Sequence, residues 1–291
     1  MSNGYHTPVL LKETVETLSP NKGDKYLDLT AGYGGHAAEV IKTIGDESLA
    51  TLVDRDAFAV EKLRLRFPKA RVIQSDFAGA LEMLKAEGVK FDLVLADLGV
   101  SSVQLDEASR GFGFQNNSDL DMRMDQSQDL TAKDVLNSYS ESELIRVLKD
   151  YGDEPRSRRI AGLIKQSRPL NSTSELESLV KQVYTGYSKK NPATRTFQAV
   201  RIEVNDEIGQ LKKALNLIFQ LLEQDARLAI ITFHSLEDGI VKRFYKDNSG
   251  KYDGLVKDLK VLKSSDTIDS IRNLRSRSAI LRSLTYENKH N

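Results

Sequence analysis

The sequence predicts an α/β protein in which a parallel sheet is interrupted by a helical insertion. Four strand-then-helix steps fall within the first hundred of the 291 residues, and this rhythm is typical of a parallel sheet with right-handed crossovers. No convincing apolar strand lies between about residues 106 and 200. Strand patterns return after that gap, so we expect the second part of the chain to complete the same sheet.

The first strand and the turn after it form a candidate nucleoside pocket. A strand beginning at Tyr26 leads into a glycine cluster, and apolar residues then recur at i, i+3, i+4 and i+7 from Ala37, which predicts a helix. Glycine leaves no Cβ between backbone and ligand, and a helix start offers free N–H groups. A second strand, 49–53, runs into Asp54, whose carboxylate suits the two hydroxyls of a ribose.

The spacing of the glycines indicates which nucleoside cofactor fits. A dinucleotide-binding loop requires a third glycine one turn into the helix, whereas Ala38 and Glu39 follow Gly35 here. Without that register a pyrophosphate loses its amide cradle. Asp28 at the strand end further disfavours phosphate and suits a positively charged ligand. S-adenosylmethionine has a ribose, an ammonium and a sulfonium and no phosphate, so it is the cofactor we predict.

The remaining α/β elements follow from apolar periodicity. We expect helices at 60–67 and around 80–84, a helix capped by Asn205, and strands at Arg71–Gln74, Phe91–Asp97, 227–233, 255–262 and 278–285.

The gap is predicted to be helical. Helices are expected at 131–137, 140–149, 155–166 and 174–184. Two of them open with the pattern of a capping box, at Ser140 with Glu143 and at Ser174 with Glu177. We therefore expect a discontinuous cofactor-binding domain, 1–105 and 201–291, and a helical insertion, 106–200, that serves as the substrate-recognition domain.

Composition excludes several classes of protein. Lys and Arg balance Asp and Glu at 42 each, so a nucleic-acid surface requires local clustering of basic residues. The absence of cysteine excludes disulfides, thiolate zinc sites and cysteine nucleophiles. The four histidines show no metal-binding spacing, so no metal is expected. There is no signal-peptide pattern and no apolar run approaching eighteen residues, which predicts a soluble cytoplasmic protein without a membrane partner.

Two strand ends carry candidate catalytic residues, because ligands of open α/β sheets lie beyond the carboxyl ends of the strands. Asp97 ends the fourth strand and His234 follows the fifth. The structural alternatives are that Asp97 is a turn carboxylate and that Ser235 is a helix N-cap, with Asp238 at the third helical position. A Ser-His-Asp triad is not supported, since no G-x-S-x-G elbow is present.

Basic residues cluster outside these strand ends. The stretches 186–202 and 271–285 contain four basic residues each and no acid, and three arginines open the predicted helix at 155–166. In a chain of zero net charge, such clusters suggest phosphate contacts, although a solvated helix face gives the same pattern. Phe112, Phe114 and Phe197 are either core residues or platforms for an unstacked base.

Over nearly its full length the chain resembles the bacterial 16S ribosomal RNA cytosine-N4 methyltransferases. The matching segments are His6-Thr-Pro-Val-Leu-Leu11, Gly32-Tyr-Gly-Gly-His36, Val53-Asp-Arg-Asp56, Asp97-Leu-Gly-Val-Ser-Ser-Val-Gln-Leu-Asp106, Arg110-Gly-Phe-Gly-Phe114, Leu120-Asp-Met-Arg-Met-Asp125, Pro192-Ala-Thr-Arg-Thr-Phe-Gln-Ala199 and Phe233-His-Ser-Leu-Glu-Asp238. The resemblance implies a class I Rossmann-like methyltransferase sheet with a helical insertion. It also implies methylation of a cytidine N4 near the P site of the small ribosomal subunit.

The resemblance further implies which residues act. Cofactor contacts are expected from Gly34, Gly35, His36, Asp54, Phe77, Asp97 and Gln104. From the acid-free basic stretches and the phenylalanine among them, RNA contacts are expected at Arg195, Phe197, Arg201, Arg275 and Arg277. The partner is 16S ribosomal RNA or the small ribosomal subunit.

Methylation of an exocyclic amine needs an acceptor for an N4 hydrogen, because the nitrogen lone pair is delocalised into the cytosine ring. Asp97, or the backbone at Leu98 and Gly99, is the candidate acceptor, and His234 is a second candidate for proton removal or base orientation. An NAD-dependent oxidoreductase and a non-catalytic RNA-binding protein are the alternatives from other classes. The intact glycines, Asp54 and Asp97 argue against the second of them.

Overall fold

The computed structural model describes residues 8–113, 117–185, 191–248, 256–267 and 277–287. The chain divides into two compact units. The sheet unit comprises the residues up to Gly99 and from Ile208 onward, and the helical unit comprises Val100–Glu207. The insertion expected at 106–200 therefore lies inside the helical unit, which extends beyond it at both ends.

The sheet unit is built on one mixed sheet. Its order, for the strands within the described ranges, is β3-β2-β1-β4-β5-β7-β6. The strands are β1 (Tyr26–Asp28), β2 (Ala50–Asp54), β3 (Arg71–Gln74), β4 (Phe91–Asp97), β5 (Leu222–Thr232), β6 (Val256–Lys263) and β7 (Ile280–Tyr286). Pairings from β3 to β5 are parallel, and β7 is antiparallel to both β5 and β6. The expected class I Rossmann-like sheet is confirmed.

A hydrophobic core covers each face of this sheet. Successive residues of one strand alternate between two clusters: Val94 packs in one, Leu93 and Leu95 in the other. This alternation follows from the twofold side-chain period of a strand. The helices that cover the faces are α1 (Leu11–Leu18), α2 (Gly35–Ile44), α3 (Ala57–Arg66), α4 (Phe77–Ala86), α11 (Glu207–Leu217) and α12 (Ser235–Asp247).

The helical unit has a separate core of Leu, Val, Ile, Met and Phe side chains. Its helices are α5 (Ser102–Asp106), α6 (Ala132–Ser138), α7 (Glu141–Gly152), α8 (Ser157–Gln166), α9 (Thr173–Val183) and α10 (Thr194–Asn205). The capping box of Ser140 with Glu143 is confirmed. The box proposed at Ser174 is wrong: Ser172 caps α9 by accepting a hydrogen bond from Glu175 N.

Asn205 corrects another prediction. It was expected to cap the helix that follows, but it is the last residue of α10 and is 1% exposed. Its side-chain amide accepts from Met124 N at 2.8 Å and donates to Met122 O at 2.8 Å. A buried amide that satisfies two distant backbone groups is worth more here than a cap, because unpaired buried polar groups are costly.

In the part of the chain that the structure describes, no helix combines the length and the apolar character needed to span a bilayer.

Candidate active site

The carboxyl ends of neighbouring strands bring acidic residues to one edge of the sheet. Asp28 ends β1, Asp54 ends β2 and Asp97 ends β4. β1 lies between β2 and β4, with Asp28 in register with Leu52 and Leu95. The backbone N–H of Asp97 donates to Thr30 Oγ1 at 2.6 Å, which ties the end of β4 to the turn after β1.

The glycines of the turn have different structural roles. Gly34 has φ of +75°, and a Cβ added to it would meet Phe67 Cε2 at 2.4 Å. A Cβ on Gly35 would meet Pro8 Cγ at 2.3 Å. Both residues therefore allow close packing within the protein. Gly32 has φ of +51° with no atom within 4 Å of an added Cβ, so this side of the turn is open to a ligand.

Asp54 is held in place by the backbone of the turn. Its Oδ2 accepts from Gly32 N and its Oδ1 accepts from Asp56 N, each at 2.8 Å. Dense packing around the carboxyl raises the pKa of Asp54 from 3.8 to about 6, and the two backbone hydrogen bonds oppose that shift. The side chain keeps part of its surface exposed, so its remaining acceptor lone pairs can bind hydroxyl groups.

Asp28 lies beneath the turn as a buried acid. It is 1% exposed, accepts from Tyr26 Oη at 2.8 Å and accepts from Thr30 N at 3.2 Å. Burial raises the pKa of Asp28 to about 6, although the nearby His36 lowers it. Burial and the neighbouring Asp28 charge also raise the pKa of Tyr26. Asp28 is thus a fixed negative centre behind the glycine turn.

Asp97 and His36 form the least satisfied polar pair of this edge. His36 Nε2 lies 3.5 Å from Asp97 Oδ2, and His36 is only 6% exposed. Within the described ranges Asp97 Oδ1 is buried and has no hydrogen-bond partner, and neither ring nitrogen of His36 has one. Buried polar atoms are normally paired. The unpaired atoms of Asp97 and His36 therefore indicate a place where a ligand can supply the missing hydrogen bonds.

His234 is the N-cap of α12, which makes the predicted cap at Ser235 wrong. His234 Nδ1 accepts from Glu237 N at 3.4 Å, and Glu237 rather than Asp238 occupies the third helical position. Glu237 Oε2 accepts from Phe233 N at 2.9 Å, and its Oε1 lies 3.1 Å from His234 Nε2. Because Nδ1 is an acceptor, a neutral ring carries its proton on Nε2. In this tautomer Nε2 carries the proton and lies beside Glu237 Oε1, without a hydrogen bond among the described residues.

Two further predicted cofactor contacts belong to helices. Phe77 is the first residue of α4 and is partly buried against the core of the sheet unit, after the N-cap Asp76. Gln104 belongs to the helical unit. It is 6% exposed, and its side chain accepts from Ser101 N at 3.0 Å in a capping box that begins α5.

The predicted RNA contacts differ in exposure. Phe197 is 4% exposed and packs in the core of the helical unit, which favours the core alternative. Arg201 donates two hydrogen bonds to Glu207, at 2.7 and 2.9 Å. Arg195 and Arg277 have exposed side chains. Arg275, like Phe114, lies outside the described residues.

Two residues of this edge, Asp28 and Glu237, are not among the site residues predicted from the sequence. Asp28 at the strand end disfavours phosphate and suits a positively charged ligand, but its hydrogen-bond partners cannot be read from the sequence. Glu237 lies three residues after His234, which is the spacing of a capping box. Histidine is not one of the usual N-cap residues, so the sequence does not indicate a capping box here. Arg282, part of the acid-free stretch 271–285, is also paired: it donates to Asp238 at 2.8 and 3.0 Å.

The chain matches the family model described as "MraW methylase family" over residues 3–287. A relative from Fusobacterium nucleatum, named "Ribosomal RNA small subunit methyltransferase H", is 42% identical over 255 residues and aligns with 85% of this chain and 81% of its own. A relative of the same name from Clostridioides difficile is 43% identical over 253 residues, with 83% and 81% covered. The crystal structure of a rRNA methylase from Streptococcus thermophilus aligns at TM-score 0.44 and 10% identity, covering 96% of this chain and 94% of that one. That last likeness is too low to carry an argument.

Proposed function

This chain belongs to the MraW methylase family, and from that premise we propose that it methylates the N4 amine of a cytidine in 16S ribosomal RNA, near the P site of the small subunit. The protein is an S-adenosylmethionine-dependent methyltransferase. The observation that carries the proposal is the buried, unpartnered Oδ1 of Asp97 at the end of β4. A ribosomal substrate agrees with the cytoplasmic location expected from the sequence.

The residues at the strand ends fit S-adenosylmethionine. Asp54 offers an oriented carboxylate for the ribose hydroxyls, and Gly32 leaves the turn open beside it. Asp28, Asp97 and the orphaned His36 supply negative and polar groups that suit the positively charged methionine part. Of the contacts implied by the family, Gly34 and Gly35 act by letting the turn pack closely, and Phe77 and Gln104 remain proposals.

Asp97 is proposed to act on the substrate amine. When bound, the cofactor supplies an electrophilic methyl group on its sulfonium. Asp97 Oδ1 accepts a hydrogen bond from cytosine N4, which turns the amine and localises its lone pair. The carboxylate would also stabilise the positive charge that develops on N4, and it would accept the N4 proton that is lost once the N4–methyl bond has formed and the sulfonium–methyl bond has broken. His36 Nε2 lies 3.5 Å from Asp97 Oδ2, the carboxylate oxygen that is not assigned to the amine.

His234 is proposed to position the loop after β5 and not to remove a proton. Its Nδ1 is occupied by the backbone of α12, and Nε2 faces the carboxylate of Glu237. Glu237 in turn holds the backbone of Phe233. The pair therefore fixes the chain that leaves the sheet beside the end of β4, since β5 pairs with β4 up to Asp97 and Ile231.

We propose the helical unit as the part that recognises RNA. Arg195 is the predicted RNA contact of this unit that stays exposed, and Arg277 is an exposed one in the sheet unit. Phe197 and Arg201 are withdrawn from that role, because one is packed in the core and the other is paired with Glu207. Both residues instead stabilise the fold of the helical unit.

Mass spectrometry of nucleosides from 16S ribosomal RNA tests the proposed activity. RNA and small subunits from a bacterium lacking the gene are incubated with the protein and S-adenosylmethionine bearing a labelled methyl group. We expect one labelled N4-methylcytidine per RNA, from one of the two substrates. Label on another base or another atom, or no label on either substrate, would contradict the proposal.

The affinity for S-adenosylmethionine is expected to fall as pH drops through 6. The carboxylate form of Asp54 accepts hydrogen bonds from the ribose more strongly than the acid form. Its pKa is raised to about 6, so protonation competes with binding below that pH, by up to about tenfold in Kd per pH unit. Above about pH 7 the Kd should be constant.

Calorimetry between pH 5 and 8 measures this dependence. Asp54→Asn serves as the control, because asparagine does not titrate. In this variant the Kd for S-adenosylmethionine should lose its dependence on pH, which in the wild type is up to about tenfold per pH unit. A variant that keeps the full pH dependence of the wild type would assign the titration to Asp28, whose pKa is also about 6.

A further inference from the structure

Tyr184 of the helical unit lies at the centre of a charged cluster that the proposed mechanism does not use. The guanidinium of Arg156 stacks over its ring, with Cζ 4.4 Å from the ring centroid. The Tyr184 hydroxyl donates to Glu154 Oε1, and this oxygen also accepts from Arg156 N at 2.9 Å. Burial and the Glu154 charge raise the pKa of Tyr184 to about 12, so the hydroxyl remains a donor.

Glu154 links Tyr184 to the backbone of Arg156. It is 2% exposed, and its other oxygen, Oε2, is buried without a hydrogen-bond partner among the described residues. A buried carboxylate with one unpaired oxygen is costly unless positive charge lies nearby. Glu154 Oε1 accepts from Tyr184 Oη and from Arg156 N, which holds the tyrosine and the arginine backbone together.

A second helix adds Arg195 to the same place. Both Arg156 and Arg195 act electrostatically on the Tyr184 hydroxyl. The backbone of Arg195 also packs against Gly152, where an added Cβ would meet Arg195 O at 2.6 Å. Arg156 precedes α8 and Arg195 lies in the first turn of α10. Neither helix has an acid in its first turn.

Arg158 and Arg159 complete the cluster. They lie in the first turn of α8, and both side chains are exposed. Neither they nor Arg195 form an ion pair with any described residue. We call Arg156, Arg158, Arg159, Arg195 and Tyr184 the arginine patch. Asp153, exposed at the end of α7, is the acid next to it in the chain. The four guanidinium groups of the patch therefore outnumber these two acids, Asp153 and Glu154.

We propose that the arginine patch binds the phosphodiester backbone of the RNA substrate, an inference that rests on the proposed function. Guanidinium groups match phosphate oxygens in geometry and stay charged at any working pH. Arg156 is anchored by Tyr184 and by a hydrogen bond to Val183 O, so less freedom is lost when it binds.

Removing charge from the patch should weaken RNA binding and leave chemistry intact. The test variant is Arg159→Gln with Arg195→Gln, which leaves the Arg156–Tyr184 stack in place. The matched control is Lys133→Gln with Lys165→Gln, two exposed lysines of the same unit, the second in the last turn of α8. Arg158→Gln is a second, single variant. Thermal melting checks that all of them fold.

Binding is read by filter retention of 16S ribosomal RNA and of small subunits, at several salt concentrations, and activity by methylation at saturating cofactor. We expect the double arginine variant to bind on the order of tenfold more weakly near 0.15 M salt, with an unchanged kcat and an unchanged Kd for S-adenosylmethionine. The slope of log K against log salt should fall by about 0.7–0.9 for each lost phosphate contact. The lysine control should behave as the wild type.

The outcomes separate the two proposals. Equal affinity and salt slope in the arginine and lysine variants would overturn the patch, whatever the wild type methylates. Weaker binding to small subunits with unchanged binding to free RNA would also overturn it, because the patch would then contact a ribosomal protein. Loss of RNA affinity in the arginine variants, in a protein whose wild type methylates no cytidine, would keep the patch and reject the proposed function.

Discussion

Asp97→Asn is expected to lower the single-turnover rate of methylation by about a hundredfold. Losing one electrostatic partner of the transition state costs roughly 3 kcal/mol in comparable sites, which corresponds to that factor. Asparagine keeps the size of the side chain and one acceptor oxygen but removes the charge. The backbone N–H of Asp97 still donates to Thr30 Oγ1, so the end of β4 should keep its position.

The same variant separates the two roles proposed for Asp97. If the carboxylate acts on cytosine N4, the rate falls at saturating cofactor; if it holds the cofactor, the Kd for S-adenosylmethionine rises. We expect both effects. Asp92→Asn is the matched control, because Asp92 lies at the opposite end of β4 and accepts from Lys25 N at 2.8 Å. Rate and affinity near those of the wild type would return Asp97 to the role of a turn residue.

Asp54→Ala is expected to weaken the binding of S-adenosylmethionine by about tenfold to a hundredfold. If Asp54 binds the ribose as proposed, the variant loses two charge-assisted hydrogen bonds to it. It also removes the acceptor of Gly32 N, which in the wild type donates to Asp54 Oδ2. The turn therefore loses part of its support. The fold should survive, because this carboxyl is partly exposed and packs little apolar surface.

Calorimetry with S-adenosylmethionine measures the effect, and Asp92→Ala controls for the loss of a strand carboxylate that accepts a backbone N–H. The control should bind the cofactor as the wild type does. An affinity for Asp54→Ala equal to that of the control would refute the assignment of Asp54 to the ribose.

The sequence alone was sufficient for elements whose pattern is local. The strand Phe91–Asp97 was predicted with its observed bounds, and the strand Arg71–Gln74 likewise. A run of apolar residues between turn signals, or apolar residues at helical spacing, determines such elements because neighbouring residues specify them. α10 is the exception: its basic residues drew attention to phosphate contacts, and its helical periodicity was overlooked.

The strand ends were also predictable, since in a parallel sheet the chain order of strand, turn and helix places every strand end on one edge. The order of elements along the chain is therefore enough to propose Asp54 and Asp97 as neighbours of a ligand. What each carboxyl does there was not predictable, because the backbone partners of Asp54 and the burial of Asp28 depend on the packing of β1 between β2 and β4.

The tertiary structure decided every polar pairing between residues distant in sequence. Asn205 binds the backbone near Met124, Arg282 pairs with Asp238, and Arg195 reaches the cluster of Tyr184. Propensity and periodicity describe a residue with its near neighbours and carry no information about such partners. The sequence by itself determined the sheet, its ligand-binding edge and the family. The folded chain determined which charged side chains are paired within the protein and which remain available to a ligand. The physical reason is that desolvation and pairing energies depend on what surrounds a charge in space.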